Sequence, residues 1–276
     1  MLKCGITGST GVLGSKIIKN LKYKFYPFKG NINSKRKVDE WLNKRHYDII
    51  IHLAAIVPTA EVEKNYNLAK KVNYYGTKNL VDSINKLEKK PSWFFFASTS
   101  HVYRVKRKNN KINELSKLNP TSKYGKTKML AEKYLLKKFK KNKINYCIGR
   151  IFSFTDKKQK KTFFVPRIFS EISNTNKKTI NFKNLSHYRD FLSVKDIIRA
   201  IDILQKKSAV GIFNIGSGTG INLQIIAKFF CKKYNKKVVF EKNKQYSYLI
   251  SNNSKIKKIG WKQKYNAFYD LKQFFY

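Results

Sequence analysis

The run LKCGIT (2–7) is apolar and ends at GSTGVLG (8–14), where a helical spacing begins and continues from Val12 to Asn20. A strand that passes through a glycine-rich turn straight into a helix is compatible with few folds. Gly8 permits a tight turn, Gly11 leaves room for backbone to approach a pyrophosphate, and Gly14 lets the helix lie close to the sheet. The helix start then offers free N–H groups and the positive end of its dipole to phosphates. The turn therefore predicts a dinucleotide site, with Gly8, Gly11, Val12, Leu13 and Gly14 as cofactor contacts.

The alternation continues. A short strand is expected at 24–28, a helix at 35–45, a strongly apolar strand (DIIIHLA) at 48–54, and a long helix over 66–87 with Leu68, Val72, Leu80 and Ile84 on one stripe. WFFFAS (93–98) reads as a strand, 104–119 as a polar loop, 123–140 as a helix and 144–152 as a strand. Apolar runs without clean alternation indicate a parallel sheet covered on both faces. Beyond it come a helix at 163–174, strands near 179–182 and 190–193, a helix at 195–206, a strand at 211–215, a helix at 223–234, a short strand and a C-terminal helix. The expectation is a Rossmann-like, doubly wound α/β sheet in a cofactor domain (1–153) and a smaller C-terminal α/β substrate-binding lobe (154–276). The strands near 190–193 and 211–215 are expected to return to the first sheet.

The formal net charge of +44 is of the size seen in nucleic-acid binders. The lysines, however, are dispersed through every expected helix, and only 8 of the 60 basic residues are Arg, the type suited to planar phosphate recognition. We read a solvated cationic surface, with no nucleic-acid partner, whose field steers an anionic small substrate. The longest apolar run, IIIHLAAIV, falls short of the ~20 residues of a membrane span. No signal-peptide layout opens the chain, and Cys4, Cys147 and Cys231 form no CxxC pair. A cytoplasmic protein with reduced thiols, without membrane contact or a metal site, is expected.

SKYGKTK (122–128) sets Tyr124 and Lys128 four residues apart, on one face of a helix. Among 17 Tyr the spacing recurs at Tyr66/Lys70, Tyr74/Lys78 and Tyr134/Lys138. Chance alone gives about three such pairs in so lysine-rich a chain, so spacing carries no information by itself. Context separates Tyr124: it follows Pro120 and Ser122 and lies 25 residues after Thr99. The other three read as helix-face aromatics under lysine stems.

Taken in order, these segments resemble the extended short-chain dehydrogenase/reductases, the NAD-dependent epimerase/dehydratase family. The resemblance rests on GxxGxxG at 8–14, HLAA at 52–55, VNYYGTKNLV at 72–81, FFFASTSHVY at 94–103, NPTSKYGKTK at 119–128, RDFLSVKDI at 189–197, FNIGSG at 213–218 and the late GW at 260–261. It implies an NAD or NADP cofactor contacted also by Asn31, Ile32, Leu53, Ala54, Ala55, Asn73, Ser98, Tyr124 and Lys128. It implies that Tyr124 exchanges a proton with a sugar oxygen, that Lys128 lowers the phenol pKa and holds ribose, and that Thr99 binds the same oxygen. Ser100, His101, Ser153 and Arg189 are the implied substrate contacts. The alternative for Arg189 is a salt bridge to Asp190 or Glu171. A homodimer built on the helices near 66–87 and 123–139 is implied as well.

Three departures refine the expectation. The family's 4,6-dehydratases carry an acid two residues after the Ser/Thr; His101 stands there, which argues for a nucleotide-sugar epimerase or keto-sugar reductase over a dehydratase. Glu114 is the nearest alternative acid in sequence. FKGNIN (28–33) has no acidic residue for a ribose hydroxyl, and Lys29, Lys35 and Arg36 nearby read equally as a site for a 2′-phosphate or as a solvated basic loop. Ser153 replaces a common substrate-binding Asn. The rivals are a dehydratase, a silent dinucleotide-binding scaffold and a basic nucleic-acid binder.

Overall fold

The computed structural model describes residues 1–106, 110–241 and 246–276, so part of the polar loop expected at 104–119 lies outside it. The strands are β1 (Lys3–Thr7), β2 (Lys24–Pro27), β3 (Ile49–His52), β4 (Trp93–Thr99), β5 (Tyr146–Ile151), β6 (Thr179–Phe182), β7 (Tyr188–Asp190), β8 (Gly211–Ile215), β9 (Gly220–Asn222), β10 (Lys237–Phe240) and β11 (Tyr248–Leu249). The helices are α1 (Val12–Asn20), α2 (Lys35–Asn43), α3 (Thr59–Lys64), α4 (Tyr66–Lys70), α5 (Thr77–Lys86), α6 (Lys123–Lys141), α7 (Phe164–Ser173), α8 (Val194–Lys206), α9 (Leu223–Lys233), α10 (Ser254–Lys258) and α11 (Phe268–Leu271).

Six strands pair in the order β2-β1-β3-β4-β5-β8, all parallel. Their apolar residues divide between two cores. Ile49, Ile51, Trp93 and Phe95 face α1 and α8, packing with Ile17, Ile197 and Ile201. Ile50, Phe94 and Phe96 face α2, α5 and α6, packing with Trp41, Leu80, Ile84 and Leu135. Covering both faces explains the unbroken apolar runs, each such side chain contributing roughly 1.5–3 kcal/mol. The chain leaves β1 for β2 on one side and returns to β3 on the other. That reversal opens a crevice beyond the carboxyl ends of β1 and β3, where ligands of open parallel sheets lodge.

The remaining strands form a second lobe. β10 and β6 pair in parallel, and β11-β7-β9 make a three-stranded sheet. A separate core of Ile168, Phe182, Ile226, Phe230 and Leu271 holds this lobe together. β8 joins the large sheet beside β5, as expected. The strand expected near 190–193 is β7, which pairs with β9 and β11, while an isolated parallel bridge from Phe191 to Ser153 ties the stretch to the chain just past β5. Asp190 explains its place: the buried carboxylate accepts from the N–H and Oγ of Ser217, the N–H of Gly218, and the N–H and Oγ of Ser251.

The helix expected over 66–87 runs without a break from Tyr66 to Lys86, but not as a uniform α-helix. It is α4, a π-helical turn at Lys71–Gly76, and α5. The π-turn shifts the phase, so Leu68 is exposed while Leu80 and Ile84 stay buried. Gly76 lets the turn touch the segment after β2; a Cβ there would lie 2.6 Å from Ile32 Cγ2. The three cysteines are free and buried, and burial raises all three thiol pKa values. Among the described residues no helix is long and apolar enough to cross a membrane.

Candidate active site

The glycine turn meets its steric demands. Gly8 has φ +71°, and a Cβ there would sit 2.7 Å from Ala54 N. A Cβ on Gly14 would lie 2.2 Å from Gly8 O, whereas one on Gly11 meets only that same oxygen at 3.4 Å. The turn is thus closed toward the sheet and open outward. α1 starts at Gly11 with no side-chain cap, leaving its first N–H groups free for an anion, and Val12 and Leu13 are half-buried beside them. Leu53, Ala54 and Ala55 follow β3 and line the same crevice, half-exposed.

Beyond β2, Ile32 is buried and Asn31 is exposed, its side chain accepting from Asn33 N at 3.0 Å. Lys35 pairs with Asp39 and Arg36 with Glu40. Lys29 and Lys37 carry no carboxylate partner among the described residues, and both line a cavity of about 400 Å³ along the outer side of β2 with Phe28, Trp41 and Tyr47. That cavity contains none of Thr99, Tyr124 or Lys128.

Thr99 ends β4, and Tyr124 and Lys128 stand one turn apart at the start of α6. Ser122 caps α6 by accepting from Gly125 N at 3.1 Å. Gly125 is required sterically, because a Cβ there would come within 2.1 Å of His101 O. All three side chains are buried. Burial pushes the Tyr124 phenol up to about 12, and its hydrogen bond with Thr99 works the other way. Burial pulls the Lys128 ammonium down to about 7, opposed by Glu132. Lys128 lies 4.0 Å over the Phe96 ring, one helical turn from the phenol. What the geometry provides is a buried phenol one helical turn from a buried amine, with Thr99 at the end of β4 beside them.

The other expected contacts gather unevenly. His101 packs edge-on against Tyr124, ring centroids 5.7 Å apart, and Ser100 is buried beside it. Burial, and then the charge of Arg189, lower His101 to about 4. Arg189 pairs with neither Asp190 nor Glu171. Among the described residues it donates to Tyr188 O, Ser247 O and Ser247 Oγ, and burial lowers it to about 10. Ser153 binds through backbone, its N–H to Asp190 O and its carbonyl from Leu192 N. The Ser98 hydroxyl donates to Glu132. Asn73 is wholly buried, bonding both backbone groups of Ile56 and the hydroxyl of Thr127.

Sequence reasoning missed a buried network behind Thr99. Arg150 donates to Glu132 through Nε and Nη2, and to Tyr103 Oη and Glu114 O through Nη1. Tyr103 donates to Asn214 Oδ1 at 2.7 Å, and Glu114 accepts from Asn214 N at 2.8 Å. Glu114, the alternative acid, is thus committed to backbone. The available signal was Glu132 itself, an acid four residues after Lys128 on the apolar stripe of α6. Of the other Tyr/Lys pairs, Tyr134 donates to Asp82 with Lys78 and Lys138 over its ring, and Tyr66 lies under Lys123.

A family profile described as GDP-mannose 4,6 dehydratase matches residues 7–272. A dTDP-D-glucose 4,6-dehydratase of Dictyostelium discoideum is 29% identical over 223 residues, covering 77% of this chain and 50% of that protein. The chain thus spans about half the length of this relative. The fold is shared with a protein called RMD from Pseudomonas aeruginosa complexed with NADPH, at TM-score 0.88, 18% identity and 99% and 97% coverage of the two chains. A Thermus thermophilus UDP-glucose 4-epimerase in complex with NAD superimposes at TM-score 0.84, 18% identity and 99% coverage of both.

Proposed function

The chain belongs to the GDP-mannose 4,6-dehydratase family, within the NAD-dependent epimerase/dehydratase superfamily, and from that premise we propose an NAD(P)-dependent epimerase or 4-keto reductase acting on a nucleotide-activated sugar. The observation that carries the choice is His101. A dehydratase needs an acid to expel the sugar's 6-hydroxyl, and an imidazole lowered to about 4 is neutral at pH 7 and holds no proton to give on that scale.

In this reading the residues 1–153 hold the dinucleotide and the later lobe holds the sugar nucleotide. The glycine turn and the uncapped start of α1 fit a pyrophosphate. The dinucleotide, when bound, supplies or takes the hydride. Tyr124 then gives its phenolic proton to the carbonyl oxygen during reduction, or takes the hydroxyl proton during oxidation. Thr99, already bonded to Tyr124, orients that oxygen, and Lys128 meets the ribose. Arg189, a half-buried guanidinium without a counter-ion among the described residues, meets substrate phosphate, with Ser100, His101 and Ser153 around the sugar. Lys29 and Lys37, with Lys44 and Arg45 on the same cavity, are placed to receive a 2′-phosphate, which favours NADP. Exposed Leu68 and Tyr75 on α4 and the π-turn support a homodimer through that surface.

The names of the family profile and of the Dictyostelium relative favour a second reading, dehydration. Mass spectrometry of the product separates the two. Incubated with GDP-mannose or dTDP-glucose and NAD, the protein should release no water from the sugar. With a 4-keto-6-deoxy sugar nucleotide and NADPH or NADH, or a 4-hydroxy sugar nucleotide and catalytic NAD, at least one substrate should turn over. Tyr124→Phe should lower that turnover by a factor of order 10² while dinucleotide binding stays near wild type. Full activity in Tyr124→Phe, or a product lighter by water, overturns the proposal.

A further inference from the structure

His52, the last residue of β3, is wholly buried and packed on Phe96, ring centroids 5.5 Å apart. Its ring bonds two threonines. Nδ1 lies 2.6 Å from Thr7 Oγ1, and Nε2 lies 2.9 Å from Thr77 Oγ1. Counting protons fixes the direction of both bonds. Thr77 donates to Asn73 O at 2.7 Å, so its oxygen must accept, and Nε2 is the ring donor. A neutral imidazole has one N–H, so Nδ1 accepts from Thr7, whose oxygen in turn accepts the Ala54 N–H at 3.2 Å. An imidazolium would donate at both ends and leave the Thr7 proton without an acceptor. Burial acts in the same sense, lowering His52 to about 3, with Lys128 adding to it.

The chain of bonds does not stop at Asn73. Asn73 Nδ2 donates to Thr127 Oγ1 at 3.0 Å, and Thr127 donates to Tyr124 O at 2.8 Å. One end of this relay is Ala54 and Thr7, which border the glycine turn. The other end is the first turn of α6, which carries Tyr124 and Lys128. Thr7, His52, Asn73, Thr77 and Thr127 are each fully buried, so no water can replace a lost partner without repacking.

We infer that His52 is a positioning residue: as a neutral Nε2–H imidazole it fixes the distance between the dinucleotide turn and Tyr124. The inference rests on the dinucleotide reading above, and its test does not depend on knowing the sugar. The first measurement is ¹⁵N NMR of histidine-labelled protein, which contains four His, with His52→Gln giving the assignment. His52 should show the Nε2–H tautomer and stay unprotonated down to pH 5. The second is titration with NADPH and NADH. His52→Phe keeps the ring and its packing but loses both bonds, and should weaken the tighter-binding dinucleotide about tenfold. His52→Gln carries one donor and one acceptor and should restore affinity to within about threefold of wild type. Where a substrate of the panel turns over, kcat should fall about tenfold in His52→Phe with the sugar KM little changed, and return in His52→Gln. Should His52→Phe fail to fold, Thr77→Val removes the next link and must show the same losses.

An imidazolium or an Nδ1–H tautomer overturns the inference. So do wild-type affinity in a folded His52→Phe or Thr77→Val, and failure of Gln to restore what Phe removes. If wild type turns over nothing in the panel, the sugar-nucleotide reading fails while the NMR and dinucleotide titrations still decide the role of His52.

Discussion

Two arginines lie near the candidate site, Arg150 buried and Arg189 half-buried, and they are treated oppositely. Arg150 is enclosed by Glu132, Tyr103 and the Glu114 carbonyl, and although burial works against its charge, Glu132 more than offsets this and its pKa is raised. Among the described residues Arg189 has only neutral acceptors, and burial lowers it to about 10. The first is a completed ion pair whose removal damages the structure. The second is a charge dehydrated in advance of a partner, the condition under which an arriving anion gains most. The same contrast runs along one stripe of α6, where Glu132 is paired and Lys128, one turn earlier, is not.

The largest effect should come from breaking the closed pair. Arg150→Met leaves Glu132 buried without its counter-ion and should cost about 3–5 kcal/mol in urea unfolding. Adding Glu132→Leu should recover much of that loss; a single mutant within about 1 kcal/mol of wild type would erase the distinction between the two arginines. Arg189→Met should leave the fold largely intact and weaken binding of GDP, TDP or UDP, whichever wild type binds, by about 10- to 100-fold in calorimetric titration. The smallest effect is on His101. Burial and the Arg189 charge both hold its pKa down, so it should rise in Arg189→Met, read by histidine NMR. His52 and His101 protonate in the unfolded chain near pH 6.5, but in the folded protein only near 3 and 4. Between pH 6.5 and 4 the unfolded state therefore binds more protons, and stability falls as pH falls. That fall should be shallower in Arg189→Met, measured as the change in Tm between pH 7 and 5.

The parts legible in the sequence are those in which one local stretch carries both signal and reason. The apolar run, three glycines and helix start of residues 2–20 specify β1, the turn and α1 because every constraint is local. Tyr124 was separable from its three look-alikes by the residues around it. Arg150 and Glu132 were not, since 18 positions and two different elements separate them and only packing brings them together. β7, β9 and β11 have 3, 3 and 2 residues, too few for alternation to register. The direction of the His52 bonds follows from hydroxyl partners on β1 and α5, which HLAA alone does not reveal.

The π-helical turn at Lys71–Gly76 is, in chain terms, one residue more than an α-helix would use over the same span. Deleting a single residue within it would close the turn into an unbroken helix of ordinary pitch and leave the flanking turns facing as they do now. The same deletion would turn Asn73 roughly 100° away from Ile56 and Thr127, since each residue of an α-helix advances by that angle. The gene therefore keeps an awkward helix at the length of one codon. A reading frame shorter by three bases would encode a more regular helix and lose the alignment of Asn73 with Ile56 and Thr127.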